Sequence, residues 1–240
     1  MNSEKKHQGE KKKIEVKVCG VTTVSDARLA VELGAAYLGL NFYPGSPRHL
    51  SIERAREIAD AVEGRALLVG VFVNAPASEV QEIAGAVGLD LLQFHGDESP
   101  ETLEPFASRA IKAFRGSTDE ADRFGQVHGF LFDSPPAAAS VSSFSPLELL
   151  SFSSSPLPLG GTGRVWDYSL LAPLISLLAP RPVFIAGGIG PDNVRSALSL
   201  SGASFVDVCS RIESSPGMKD PDLLSRLFLE IASYEEPHVP

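Results

Sequence analysis

A cysteine at position 19 and an aspartate at 133, each closing a short apolar run, could serve as a base and an acid facing one cavity. A free thiol titrates at about 8.5, so only a small fraction is thiolate at neutral pH. Cys19 therefore needs a nearby cation or N–H donors, and Lys17 lies on the same strand face by the period of two. Asp133 must do the reverse and hold its proton, which the preceding Phe130-Leu131-Phe132 favours. Taken alone, Cys19 also reads as a small buried strand residue, and Asp133 as a loop cap beside Ser134-Pro135.

Glycine clusters late in the chain suit a different task. Gly160-Gly161-Thr162-Gly163, Ala186-Gly187-Gly188-Ile189 and the following Cys209-Ser210 would let backbone N–H groups approach an oxyanion. Gly161, Thr162, Gly163, Gly187, Gly188, Cys209 and Ser210 are thus the candidate phosphate site; the plainer reading of the glycines is tight turns.

Positioning such groups requires a scaffold, and the apolar pattern supplies one. Strands are expected at Ile14–Cys19, Tyr37–Phe42, Ala66–Val73, Asp90–Phe94, Ala110–Phe114, Gly129–Phe132, Pro182–Ala186 and Ser204–Cys209. They read as continuous apolar runs, as in strands covered on both faces. Helical periods fill the intervals: Ser25–Leu33, Ser51–Val62, Ser78–Val87, Pro100–Ser108, Thr118–Phe124, Asp167–Leu178, Pro191–Leu200 and Asp220–Ile231. Ser25, Ser51, Ser78 and Asp220 are the expected caps, with Gly34 and Gly202 closing their helices in left-handed conformation. Eight βα units in 240 residues predict a single α/β domain of the (β/α)8 TIM-barrel class, over residues 14–240. No Gly-x-Gly-x-x-Gly follows the first strand, which argues against a dinucleotide fold. In a barrel the chemistry sits at the carboxyl ends of the strands, where Cys19, Arg48, Asn74, His95, Asp133, Gly187, Gly188, Cys209 and Ser210 fall.

Composition excludes other classes. The net charge of −9 argues against nucleic-acid binding, and no apolar run is long enough for a membrane span. Two cysteines are too few for a disulfide scaffold, and the five scattered histidines do not suggest a metal site. A cytoplasmic protein is expected. Residues 1–13, with a net charge of +3, read as a disordered polar tail, and the Ser/Pro-rich stretch 134–159 as a flexible loop over the barrel mouth.

With these pieces in place the chain resembles the phosphoribosylanthranilate isomerase family of tryptophan biosynthesis. The resemblance rests on Lys17-Val-Cys19-Gly-Val-Thr22, Ser46-Pro-Arg48-His-Leu-Ser51, Val69-Gly-Val-Phe-Val-Asn74 and Gln93-Phe-His95-Gly-Asp-Glu98. It continues through Phe132-Asp133, Gly160-Gly-Thr-Gly163 with Trp166-Asp167, Ala186-Gly-Gly188, Asp192-Asn-Val194, Val206-Asp207-Val208, Glu213, Pro216-Gly217 and Lys219-Asp220. It implies a cofactor-free, metal-free Amadori rearrangement of a phosphoribosyl anthranilate to a 1-deoxyribulose phosphate. It also implies Cys19 as general base, Asp133 as general acid, and Arg48, His95 and Asp207 as substrate-binding residues.

Each binding residue keeps an alternative. Arg48 would hold the anthranilate carboxylate or bridge to Glu53. Asp207 would meet substrate hydroxyls or pair with Lys17 across the adjoining strands. His95 would touch substrate or cap a loop. The small-molecule phosphosugar is the one partner expected, with the chain working as a monomer. A barrel that binds phosphosugars without catalysis is the rival reading. Two features depart from the family pattern: Cys209-Ser210-Arg211 stands where Ser-Ser-Gly is usual, and the segment after Asp133 is long.

Overall fold

The computed structural model describes residues 13–115, 121–134 and 167–234. All eight expected strands form, within one or two residues of the expected ends: β1 (Glu15–Cys19), β2 (Tyr37–Asn41), β3 (Leu67–Phe72), β4 (Leu91–Phe94), β5 (Ala110–Arg115), β6 (Gly129–Asp133), β7 (Val183–Ile185) and β8 (Phe205–Val208). They pair in parallel, in sequence order, and β8 returns to β1 to close the barrel. The tail at 1–12, the loop at 135–159 and the glycines at 160–163 lie outside the described residues.

The helices are α1 (Val24–Glu32), α2 (Ile52–Val62), α3 (Ala77–Val87), α4 (Pro100–Leu103), α5 (Ala172–Leu178), α6 (Val194–Ser201) and α7 (Pro221–Ala232). Ser51 and Asp220 cap α2 and α7 as expected, but two caps differ. Thr23 caps α1, accepting from Asp26 N at 3.1 Å, while the Ser25 hydroxyl contacts that of Thr23. Helix α3 begins after Pro76 with no side-chain cap, which leaves Ser78 inside the first turn; proline fixes the entry φ. Gly202 closes α6 at φ 66°, whereas Leu33 caps α1 and Gly34 follows it at φ 105°.

Prolines also shorten two expected helices. The stretch expected at Pro100–Ser108 is α4 followed by a 3₁₀ turn, Glu104–Arg109, because Pro105 has no N–H for an α ladder. The one expected at Asp167–Leu178 is a 3₁₀ turn, Tyr168–Leu171, with α5 restarting around Pro173. Of the expected Thr118–Phe124 helix, the described part is a 3₁₀ turn at Ala121–Phe124. The expected Pro191–Leu200 helix starts only at Val194, because the Asn193 side chain is bonded to Gly190 N and Gly188 O. A two-stranded hairpin, β9 (Glu213–Ser215) and β10 (Met218–Lys219), was not expected; Pro216-Gly217 turns it, with Gly217 at φ 88°.

Alternation along the strands divides the core in two. Val16, Val18, Leu38, Leu40, Leu92, Phe130, Phe132, Val206 and Val208 point outward into the layer beneath the helices. Tyr37, Val69, Leu91, Ile111, Ala113, Leu131, Phe184 and Ala186 fill the barrel interior. Toward the carboxyl ends, the inward positions turn polar: Lys17 and Cys19 on β1, Gln93 on β4 and Arg115 on β5. Asp133 on β6 and Asp207 on β8 continue the ring. The same period of two that packs the lower barrel thus aims its chemistry upward.

Gly39 of β2 makes room for this layer. A β-carbon there would stand 2.7 Å from Cys19 Sγ, 3.0 Å from Cys19 Cα and 3.1 Å from Lys17 Nζ. Gly39→Ala should cost about 1–3 kcal/mol by overpacking, seen as a fall in Tm, together with a large loss of activity as Cys19 is displaced. An unchanged Tm would mean that the interior yields where the packing says it cannot.

Candidate active site

An ion pair forms the floor of the barrel mouth. Lys17 and Asp207 are register partners on β1 and β8, with Nζ 2.6 Å from Oδ1, and Lys17 has no exposed surface. Burial works against the Lys17 charge, but Asp207 and then Cys19 outweigh it and raise its pKa. Burial pushes the Asp207 carboxyl up to about 7 against the attraction of Lys17, and negative charge on Cys19 and Asp133 adds to the rise. Of the two roles expected for Asp207, the structure displays the pairing with Lys17.

One level higher stand two sulfurs. The register that pairs Val18 with Val208 brings Cys19 and Cys209 side by side, both free thiols. Cys19 is held well below its ordinary pKa, first by a hydrogen bond from Cys209, against burial, and then by the Lys17 and Lys219 charges. Cys209 is pushed up, because its proton is committed to the Cys19 sulfur and because it is buried. Cys209 Sγ also donates toward Glu213 Oε1 at 3.9 Å, an oxygen that accepts from Arg48 Nε, Lys219 Nζ and Gly217 N as well.

Across the mouth, burial raises the Asp133 carboxyl, opposed by donors from Ser134 and by the Arg115 charge; negative charge on Cys19 raises it further. Cys19 and Asp133 therefore share one electrostatic environment, with opposite shifts. Arg115 Nε reaches His95 Nε2 at 3.3 Å, and His95 Nε2 is 3.8 Å from Asp133 Oδ2. Burial, then Arg115, Lys17 and Lys112, lower the His95 pKa to about 3, so the ring is neutral and makes no ion pair with Asp133.

The tautomer of His95 follows from the donors. A guanidinium only donates, so Nε2 must carry the lone pair and Nδ1 the proton. The Gln93 amide lies 3.1 Å from Nδ1. Turned so that Oε1 faces the ring, it accepts that proton and gives Oε1, otherwise unbonded among the described residues, its partner. Gln93, His95 and Arg115 then form one relay ending beside Asp133.

Arg48 departs from its expected alternative at Glu53. Its guanidinium grips Glu213, with Nε at 2.9 and 3.2 Å and Nη2 at 2.6 Å from the carboxylate oxygens. Glu213 also takes Lys219 Nζ at 2.8 Å, and that ammonium reaches the Cys19 carbonyl at 2.6 Å. Burial would raise the Glu213 pKa, but the two cations bring it down. The hairpin β9–β10 therefore fastens both Arg48 and the end of β1.

After β7, Gly187 and Gly188 take left-handed φ values of 87° and 66°. Their carbonyls accept from Tyr168 Oη and Asn193 Nδ2, and among the described residues their N–H groups have no acceptor. Ser210 opens a 3₁₀ turn, Ser210–Ile212, beside them. Arg211 packs against the end of this loop, where a β-carbon at Gly190 would stand 2.9 Å from its Cβ and 3.1 Å from its Nε, and its Nη2 pairs with Asp192 Oδ2 at 2.5 Å. The expected Gly161, Thr162 and Gly163 lie outside the described residues.

Sequence reading had missed Gln93, Arg115, Tyr168 and Lys219 as site residues. The inward period of two on β4 and β5 was the available signal for Gln93 and Arg115. Among the described residues no group of three His, Cys, Asp or Glu side chains is placed to hold a metal.

Comparison with known proteins agrees with this geometry. The family described as N-(5'-phosphoribosyl)anthranilate (PRA) isomerase matches residues 16–230. An N-(5'-phosphoribosyl)anthranilate isomerase of Stutzerimonas stutzeri is 39% identical over 209 residues, covering 85% of this chain and 90% of the relative. The crystal structure of phosphoribosyl anthranilate isomerase from Thermus thermophilus has a TM-score of 0.75 at 32% identity, covering 92% of this chain and 99% of that one. A phosphoribosyl anthranilate isomerase in complex with reduced 1-(o-carboxyphenylamino)-1-deoxyribulose 5-phosphate has a TM-score of 0.73 at 30% identity, covering 91% and 98%.

The relay is open to direct observation. Nitrogen-15 spectra of the histidine-labelled chain, with His95→Asn to assign the signal, should show His95 as the neutral Nδ1–H tautomer from about pH 5 to pH 8. An Nε2–H tautomer, or a ring that gains charge near the ordinary histidine pKa, would overturn the assignment.

Proposed function

The chain belongs to the N-(5'-phosphoribosyl)anthranilate isomerase family and catalyses that isomerisation, and we propose that Cys19 and Asp133 supply its base and acid. The observation that carries this reading is the opposed pair of shifts at one mouth: Cys19 lowered toward thiolate, Asp133 raised toward the acid. Asp133 gives its proton to the ribose ring oxygen as the C1–O bond breaks, and the nitrogen lone pair forms the Schiff base. The Cys19 thiolate removes the C2 proton, giving an enolamine. As the C2 hydroxyl becomes a ketone it returns a proton to Asp133, and Cys19 delivers its proton to C1. No net proton is gained or lost, so neither residue needs a cofactor to reset.

Binding follows the same division of labour. The N–H groups of Gly187 and Gly188, which have no acceptor among the described residues, with Ser210 and Cys209 at the next loop, suit the phosphate oxygens. By sequence alone, Gly161, Thr162 and Gly163 are further candidates for phosphate binding. Arg48, with Nε and Nη2 held by Glu213, keeps Nη1 for the anthranilate carboxylate. His95 lies against the ribose side of the cavity beside Asp133, and Asp207 acts on the substrate through Lys17 and Cys19.

Cys19→Ala and Asp133→Asn should each lower kcat by about 10²–10⁴-fold with the circular dichroism spectrum unchanged. Near-normal turnover in either variant would overturn its role. Arg211→Gly removes a partly exposed ion pair whose guanidinium is engaged by Asp192, so its effect on KM should stay within about fivefold. A larger rise in KM would make Arg211 a phosphate ligand.

A further inference from the structure

We propose that Cys19 and Cys209 form a reversible thiol–disulfide site that closes with a peroxide as oxidant. Both side chains occupy inward positions at the mouth ends of neighbouring strands, one step beyond the Val18–Val208 register pair. Adjacent strands run about 4.8 Å apart, and disulfides span Cα separations of about 4.4–6.8 Å. The strand spacing at this register is thus of the size a disulfide spans. Each sulfur is partly exposed at the mouth, where a small peroxide can reach it, and each bears on the charge state of the other.

The surroundings confine both sulfurs to the same corner. A β-carbon at Gly39 would stand 2.7 Å from Cys19 Sγ, and one at Gly20 would stand 3.1 Å from Cys209 Sγ. Three cations frame the corner: Lys17 beneath, Lys219 bonded to the Cys19 carbonyl, and Arg48 against Gly20. Such a field favours thiolate over thiol at Cys19 and makes it the attacking sulfur. The second sulfur is a property of this chain, since Cys209 stands where the family pattern has serine.

The chemistry balances. The Cys19 thiolate attacks one peroxide oxygen, the O–O bond breaks, and hydroxide leaves to become water, giving a sulfenic acid. The Cys209 thiol attacks that sulfur, the S–O bond breaks, and the hydroxyl departs as a second water with the Cys209 proton. Two thiols are oxidised to one disulfide while one peroxide is reduced to two waters. The bridge consumes the thiolate that the proposed base role requires, so loss of turnover on closure rests on that reading.

The test treats the reduced full chain with hydrogen peroxide and follows thiols, intact mass and turnover together. The chain has two cysteines, so denatured thiol titration should fall from two to none, with the mass of two hydrogens lost and no disulfide-linked dimer. Turnover should fall about 10²-fold or more, and dithiothreitol should restore all three readings. Cys209→Ser keeps a hydroxyl donor for Cys19 but cannot bridge. Measured against its own untreated rate, it should gain oxygen rather than lose hydrogen, and recover less fully. Oxygen gain without hydrogen loss in the unmodified chain, or bridging only between chains, would overturn the proposal. Closure with turnover intact would sustain the thiol site and overturn the base role of Cys19 instead.

Discussion

One ammonium, sealed inside the barrel, bears on the charge of the groups above it. Lys17 has no exposed surface and bonds Asp207 at 2.6 Å directly beneath Cys19. A buried ion pair of this kind is weak evidence for stability, because desolvation offsets most of the attraction. Its worth lies in the field it projects upward. The cation draws Cys19 toward thiolate, and the anions around it keep Lys17 itself charged. The thiolate in turn helps to keep the proton on Asp133. Acid and base thus acquire opposite protonation: Cys19 chiefly through Cys209 and then the lysine charges, Asp133 chiefly through burial with Cys19 adding to it.

The scaffold was legible because barrel strands are covered on both faces, and that burial writes itself into the sequence as short apolar runs. All eight strands follow from those runs. Helix ends were harder, since Pro105 and Pro173 replace α turns with 3₁₀ turns without disturbing the apolar period. The hairpin at 213–219 escaped for a different reason: two strands of three and two residues carry too few positions for any period to register.

The site divides along a similar line. Cys19, Asp133 and the glycines announce themselves by type and by position at strand ends. Partners announce nothing. Arg48 looked toward nearby Glu53, yet its carboxylate is Glu213, far along the chain and adjacent only after closure. Arg115 lay just past the expected end of its strand and Gln93 stood out only as part of a motif, and the meaning of both depends on His95 standing between them. Local sequence carries a residue's chemistry; the identity of what it touches is a property of the closed ring.

That division has a consequence for how such a molecule can be taken apart. The first four βα units carry Lys17, Cys19, Arg48 and His95, while the later units carry Arg115, Asp133, Asp207, Cys209, Glu213 and Lys219. Lys17–Asp207, Arg48–Glu213, Arg115–His95 and the Lys219 bond to the Cys19 carbonyl all join one half-barrel to the other. Severed between β4 and β5, each fragment would keep only half of each of these four partnerships. The two halves are inert syllables of one word, and reactivity belongs to their union.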